Sequence, residues 1–169
     1  DIALIPQNPM TAFDPSCKIG NQLAETYRLH NKSSAKAARN AVLEAMQRAG
    51  LEDCKAVWSS YPYMLSGGML QRAAVAAAIM NRPRLIIADE PTTALDAEHR
   101  IAVTDMLKSL CGSAAVIMVT HDFAVAGRFG GHAYIMKNGV FVEQGDIKKM
   151  ISSPENEYTK ELLDAALLI

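Results

Sequence analysis

The chain has 169 residues, half of them apolar, and a formal net charge of -1 from 17 Lys and Arg against 18 Asp and Glu. That much apolar material suffices for one buried core, and mixed charge without a basic cluster argues against a nucleic-acid partner. Cys17, Cys54 and Cys111 are odd in number and have no CxxC pair, which fits neither a disulfide framework nor a zinc site and suits a reducing compartment. No apolar run reaches the roughly 20 residues of a spanning helix.

Asp1-Ile2-Ala3-Leu4-Ile5 reads as a strand that the chain enters from within, and it is stopped by Pro6. Residues 7–15 are rich in turn formers. A helix is expected over 19–30, and a second, capped by Ser33 or Ser34, should run through Ala37, Ala41, Val42, Ala45 and Met46 to a stop at Gly50. Residues 70–80 form an Ala-rich helix ended by Asn81-Arg82-Pro83. Leu85-Ile86-Ile87-Ala88 is a continuous apolar run, the pattern of a parallel strand buried on both faces. A helix over 98–110, a second buried strand over 115–119 and a short helix after His121-Asp122 continue the alternation, so the fold class is α/β. Asn138-Gly139 joins strands over 133–137 and 140–143 into a hairpin expected to close the sheet. From Asp146 the pattern is helical, broken at Ser153-Pro154 and ending in an amphipathic stretch over 158–168.

Two constellations carry chemistry. Asp89 and Glu90 emerge from the carboxyl end of the 85–88 strand, where open α/β sheets bind ligands; such a pair can serve a magnesium-bound nucleotide, or it can simply be a polar strand end entering the turn Pro91-Thr92-Thr93. Leu65-Ser66-Gly67-Gly68-Met69-Leu70-Gln71-Arg72 sets a serine and two glycines at a helix start. Backbone N–H groups without β-carbons, a hydroxyl and the helix dipole together suit a phosphate; an ordinary serine cap with a glycine turn is the plainer possibility.

The octet resembles the signature motif of the ATP-binding-cassette family, and residues 85–90 resemble its Walker B strand. Other landmarks follow in family order: Gln7 is similar to the Q-loop glutamine, Ala94-Leu95-Asp96 to the D-loop and His121 to the switch histidine. The resemblance covers essentially the whole chain and implies one partial P-loop NTPase domain over 1–169. A helical subdomain with the signature helix would span about 8–80, core strands 84–145 and C-terminal helices 146–169. It implies that Glu90 is the general base, that His121 contacts the γ-phosphate, that Asp89 holds magnesium through water and that Gln7 senses metal and nucleotide. Ser66, Gly67, Gly68 and Gln71 would bind the ATP of a second cassette, and Asp96 would couple the two sites. No Gly-x-x-x-x-Gly-Lys-Ser/Thr occurs in the chain; truncation ahead of the Q-loop is the expected reason, and these residues alone are expected to be inactive. His30, His99 and His132 lie in no matched motif and read as structural.

Pro6 through Pro15 followed by Ile19-Gly20-Asn21-Gln22-Leu23 resembles the Q-loop region of oligopeptide, dipeptide and nickel importers, and Gly139 through Gly145 with Ser153-Pro154 resembles their tail. Asn156-Glu157 departs from the usual His-Pro, while Gly68-Met69-Leu70-Gln71 leans toward nickel or metal-chelate importers. The expected partners are a second ATPase subunit, identical or related, membrane permease subunits and, indirectly, an extracytoplasmic solute-binding protein. The expected place is the cytoplasmic face of the inner membrane, as a peripheral subunit. Chromosome-maintenance cassettes fit less well, because no sustained heptads lie between Gln7 and Ser66. A ribosome-associated cassette and a non-catalytic interaction domain are also compatible with these motifs.

Overall fold

The computed structural model describes residues 2–93, 95–110 and 113–167. Asp1 of the expected first strand, Ala94 of the D-loop resemblance, Cys111 and Leu168 lie outside the described residues. The chain divides into two compact units, Asp1–Val119 and Thr120–Ile169. This boundary cuts the segment 84–145 that the sequence reading took as one set of core strands.

In the first unit, β1 (Ile2–Ile5), β2 (Leu85–Asp89) and β3 (Ala115–Val119) form a parallel sheet in that order. Ile5 pairs with Ala88, and Asp89 pairs with Val119. The connection from β1 to β2 carries α1 (Ile19–Asn31), α2 (Ala35–Arg48), α3 (Cys54–Ser59) and α4 (Gly67–Ile79), and α5 (Ala97–Leu110) leads to β3. Of the two serines offered as caps, Ser34 takes the role, its hydroxyl accepting the Ala37 N–H at 3.2 Å. At the end of α1, Lys32 adopts φ 46°, the left-handed turn that stops the helix. The sequence reading left α3 out, since six residues are too few for periodicity to register; Asp53 starts it by accepting the Ala56 N–H at 2.9 Å. Packed against α2 on one side and β1 on the other, α4 has Ala73, Val75 and Ala76 fully buried. Its alanines allow that close approach, and burial all round explains why it lacks an amphipathic stripe.

Burial of the strands on both faces does not hold. Ile86 and Ala88 are buried, whereas Leu85 and Ile87 are only half-buried. Ile2, Leu4, Ile117 and Val119 are 69%, 60%, 53% and 51% exposed. Parallel register puts these four on one face, because side chains alternate along each strand. The helices packed on β1 and β3 are α4 and α5, and they leave that face open among the described residues.

The second unit contains α6 (Phe123–Phe129), β4 (His132–Lys137), β5 (Val140–Asp146), α7 (Ile147–Ser152) and α8 (Glu157–Leu167). Asn138 and Gly139 have φ 51° and 80°, the left-handed pair that a tight hairpin turn needs. The hairpin does not close the parallel sheet as expected: β4 and β5 form a separate two-stranded sheet. A local turn fixes strand pairing only between its own arms, and it says nothing of longer-range partners. The Glu143 carboxylate accepts the N–H groups of Glu155 and Asn156 at 3.1 and 3.0 Å, tying β5 to the turn between α7 and α8. Among the described residues, no helix is long and apolar enough to cross a membrane.

Candidate functional site

The carboxyl edge of the parallel sheet gathers the acidic pair and the glutamine. Asp89 ends β2 and is exposed. At Glu90 the chain swings out of the sheet: its N–H still donates to the Val119 carbonyl at 2.9 Å, but its φ is +46°. A glutamate in the left-handed region is strained by about 1–3 kcal/mol, and the turn Pro91-Thr92-Thr93 holds it there. Thr92 is buried, the Thr93 N–H donates to the Glu90 carbonyl at 3.3 Å, and the Thr93 hydroxyl donates to Glu90 Oε2 at 2.8 Å. The turn thus fixes both backbone and carboxylate of Glu90. Gln7 is exposed two residues beyond Ile5, and since Ile5 pairs with Ala88 it leaves the sheet at the edge that Asp89 occupies.

The glycine turn stands at the start of α4. Ser66 caps the helix, its hydroxyl accepting the Met69 N–H at 3.3 Å, so the plain capping role is real. A hydroxyl retains its own O–H donor and a second lone pair, which leaves Ser66 able to meet a ligand as well. Ser66 and Gly67 are exposed and Gly68 is half-buried. As the first residues of α4, Gly67 and Gly68 have N–H groups without an intrahelical carbonyl, and no other described backbone group takes them. A β-carbon at Gly67 would meet nothing within 4 Å, so an anion could approach the backbone there. Gln71 was expected to bind cofactor with these residues, yet it is 3% exposed and its Nε2 has no hydrogen-bond partner among the described residues. At the next residue, Arg72 donates to the Gly50 carbonyl at 2.7 Å, pinning α4 to the end of α2.

Asp96 lies at the start of α5, accepting the His99 N–H at 2.9 Å and the His99 ring Nδ1 at 2.7 and 2.8 Å. The backbone N–H and then the ring of His99 hold this carboxyl below its ordinary value of 3.8. His99, set aside as structural on the sequence, also approaches the glycine turn: a β-carbon at Gly68 would sit 3.2 Å from its Cδ2. The spacing Asp96-x-x-His99, a helix cap followed at the third position by a polar side chain, is the signal that could have flagged it. His121 belongs to the second unit and is exposed in the bend before α6, whose N-cap Asp122 accepts the N–H groups of Ala124 and Val125 at 2.8 and 3.1 Å.

No group of three or more His, Cys, Asp or Glu among the described residues is arranged to hold a metal ion. The donors at the sheet edge are the Asp89 carboxylate and the Gln7 amide oxygen. A sparse set of hard oxygens fits magnesium, which keeps several waters and takes the rest of its shell from phosphate.

A parallel sheet with an acidic pair at its carboxyl edge, a helical insert and a serine-capped helix that opens on two glycines define a nucleotide-binding cassette. The chain belongs to the ABC transporter family, whose family model matches residues 1–93. It is 42% identical over 168 residues to the metal-staphylopine import system ATP-binding protein CntD of Staphylococcus aureus (strain NCTC 8325 / PS 47), covering 96% of this chain and 61% of that protein. It is 39% identical over 168 residues to the dipeptide transport ATP-binding protein DppD of Lactococcus lactis subsp. cremoris, covering 98% of this chain and 48% of that one. The chain therefore spans about half to three-fifths of these relatives. A solved dimeric structure of the ATP-binding cassette MJ0796, in a post-hydrolysis state bound to ADP and Pi, superposes with a TM-score of 0.77 at 29% identity, over 87% of this chain and 63% of that one.

Proposed function

We propose that the full-length protein is the ATP-hydrolysing subunit of an importer for nickel, another metal chelate or peptides. The observation that carries this reading is the sheet edge, where Gln7, Asp89 and a strained, threonine-held Glu90 leave adjacent strands together. Import-system relatives in both the metal-chelate and the peptide class support the transport role. ATP is the substrate. Asp89 and Gln7 would hold the magnesium-bound nucleotide, the ion neutralising charge on the phosphates when bound. Glu90 would accept a proton from the attacking water, its aim set by the Thr93 hydroxyl and the left-handed backbone. His121 would meet the terminal phosphate.

Ser66, Gly67 and Gly68 would offer their hydroxyl and N–H groups to the ATP of a second ATPase subunit, with Gln71 behind them and Asp96 coupling the two sites. Permease subunits, fed by a solute-binding protein, would dock on the helical insert and hold the protein at the cytoplasmic face of the membrane. Lacking the Gly-x-x-x-x-Gly-Lys-Ser/Thr sequence, these 169 residues would not hydrolyse ATP by themselves. The test is Glu90→Gln in the full-length protein with its partners. Turnover should fall by at least about a hundredfold, while an ATP-bound dimer accumulates in size-exclusion chromatography. Retained turnover would overturn the assignment of the base.

A further inference from the structure

Asp96 and His99, at the start of α5, lie close to Gly68, a part of the chain that the sequence keeps well apart from them. The imidazole Nδ1 lies 2.7 and 2.8 Å from the two carboxylate oxygens of Asp96. The Cδ2 edge of the same ring stands where it would press on any β-carbon at Gly68, 3.2 Å away. On one side is the residue that opens α5; on the other is the glycine turn that opens α4. Stability is a poor explanation for the arrangement, because the Asp96 and His99 side chains are 68% and 46% exposed and such i,i+3 pairs contribute little in water. What the flat ring supplies is geometry. Hydrogen bonds to both carboxylate oxygens fix its plane, and an edge held in that plane limits how far the Gly68 backbone can shift toward α5.

We infer that His99 is a positioning residue, its ring tethered by Asp96 and laid against Gly68 so that the phosphate-facing glycine turn and the Asp96 cap of α5 keep one fixed spacing. The inference rests on the cassette reading above. In that setting, both elements face the second subunit, and their spacing decides whether the two contact it together. Misplacing a positioning contact by about 1 Å can lower a rate as much as a hundredfold.

The test is carried out on the full-length protein with its partner subunits, measuring kcat at saturating ATP, KM for ATP and the unfolding temperature. His99→Ala removes tether and ring and should lower kcat about tenfold or more, well beyond its effect on KM. His99→Asn keeps a short N–H donor for Asp96 and should leave the unfolding temperature close to that of the unaltered protein without restoring kcat. Combining His99→Ala with Asp96→Asn should lower kcat no further than the stronger single change, because the two act as one unit. Unchanged kcat in His99→Ala would overturn the inference, as would full recovery of kcat in His99→Asn, which would leave His99 only a hydrogen-bond partner of the Asp96 cap. An intact protein that turns over no ATP overturns the proposed function and this inference with it, whereas an active protein indifferent to His99→Ala overturns this inference alone.

Discussion

Replacing Gly20 with alanine sets two effects against each other, and the structure says which wins. Gly20 is buried in the first turn of α1. In an exposed helix the change would stabilise by about 1 kcal/mol. Here a β-carbon would fall inside the van der Waals envelope of Cγ, Cδ2 and Cε2 of Trp58. The indole is rigid and half-buried: Val57 beside it is 1% exposed, the Ile19 N–H ties α1 to the Ser60 carbonyl at 3.0 Å, and the Arg39 guanidinium carbon lies 4.8 Å from the ring centroid. Overpacking of this kind costs about 1–3 kcal/mol, and with three atoms of one inflexible ring in conflict the upper half of that range applies. Gly20→Ala should therefore destabilise by a net ~1–2 kcal/mol, read as a lowered urea midpoint by circular dichroism on the full-length protein. Adding Trp58→Leu should make the double variant more stable than the sum of the single effects. A midpoint that rises in Gly20→Ala alone would show that the helices part easily at this contact and would refute the packing argument.

Glu143 makes the second unit sensitive to acid. Burial pushes its carboxyl up, but the Thr159 hydroxyl, the N–H groups of Glu155 and Asn156 and the Lys160 charge pull it down further, to below its ordinary 4.5. The buried Thr159 hydroxyl makes no hydrogen bond of good geometry, so the two N–H groups are the main support. A depressed carboxyl contributes stability that is complete above its unfolded value and lost as pH falls through the folded one. Unfolding temperatures should therefore drop between pH 6 and pH 3, and Glu143→Gln should flatten part of that drop; an identical pH profile in the variant would rule this contribution out. The thiols should also separate. Cys17 is exposed, whereas Cys54 is half-buried, donates to the Leu51 carbonyl at 3.2 Å and is raised by burial above its ordinary 9.0. At pH 8, iodoacetamide should alkylate Cys17 before Cys54, as mass spectrometry of digested protein would show; equal rates would contradict this burial.

Sequence alone settled whatever depends on neighbours along the chain. Apolar runs gave β1, β2 and β3, a serine at 33 or 34 and Gly50 bracketed α2, and Asn138-Gly139 marked the hairpin, because each signal is a local backbone or periodicity effect. Resemblance to the ordered family motifs also brought Gln7, Ser66, Asp89, Glu90 and Asp96 forward as candidates. Tertiary structure alone decided which strands share a sheet, and so that Gln7 and Asp89 leave it at one edge while the hairpin pairs only with itself. It revealed the left-handed backbone of Glu90, the burial of Gln71 and the open face of Ile2, Leu4, Ile117 and Val119. It also turned His99 from an ordinary helix residue into the link between Asp96 and Gly68. Those facts depend on groups far apart in the chain that meet only after packing, and no local pattern encodes such a meeting.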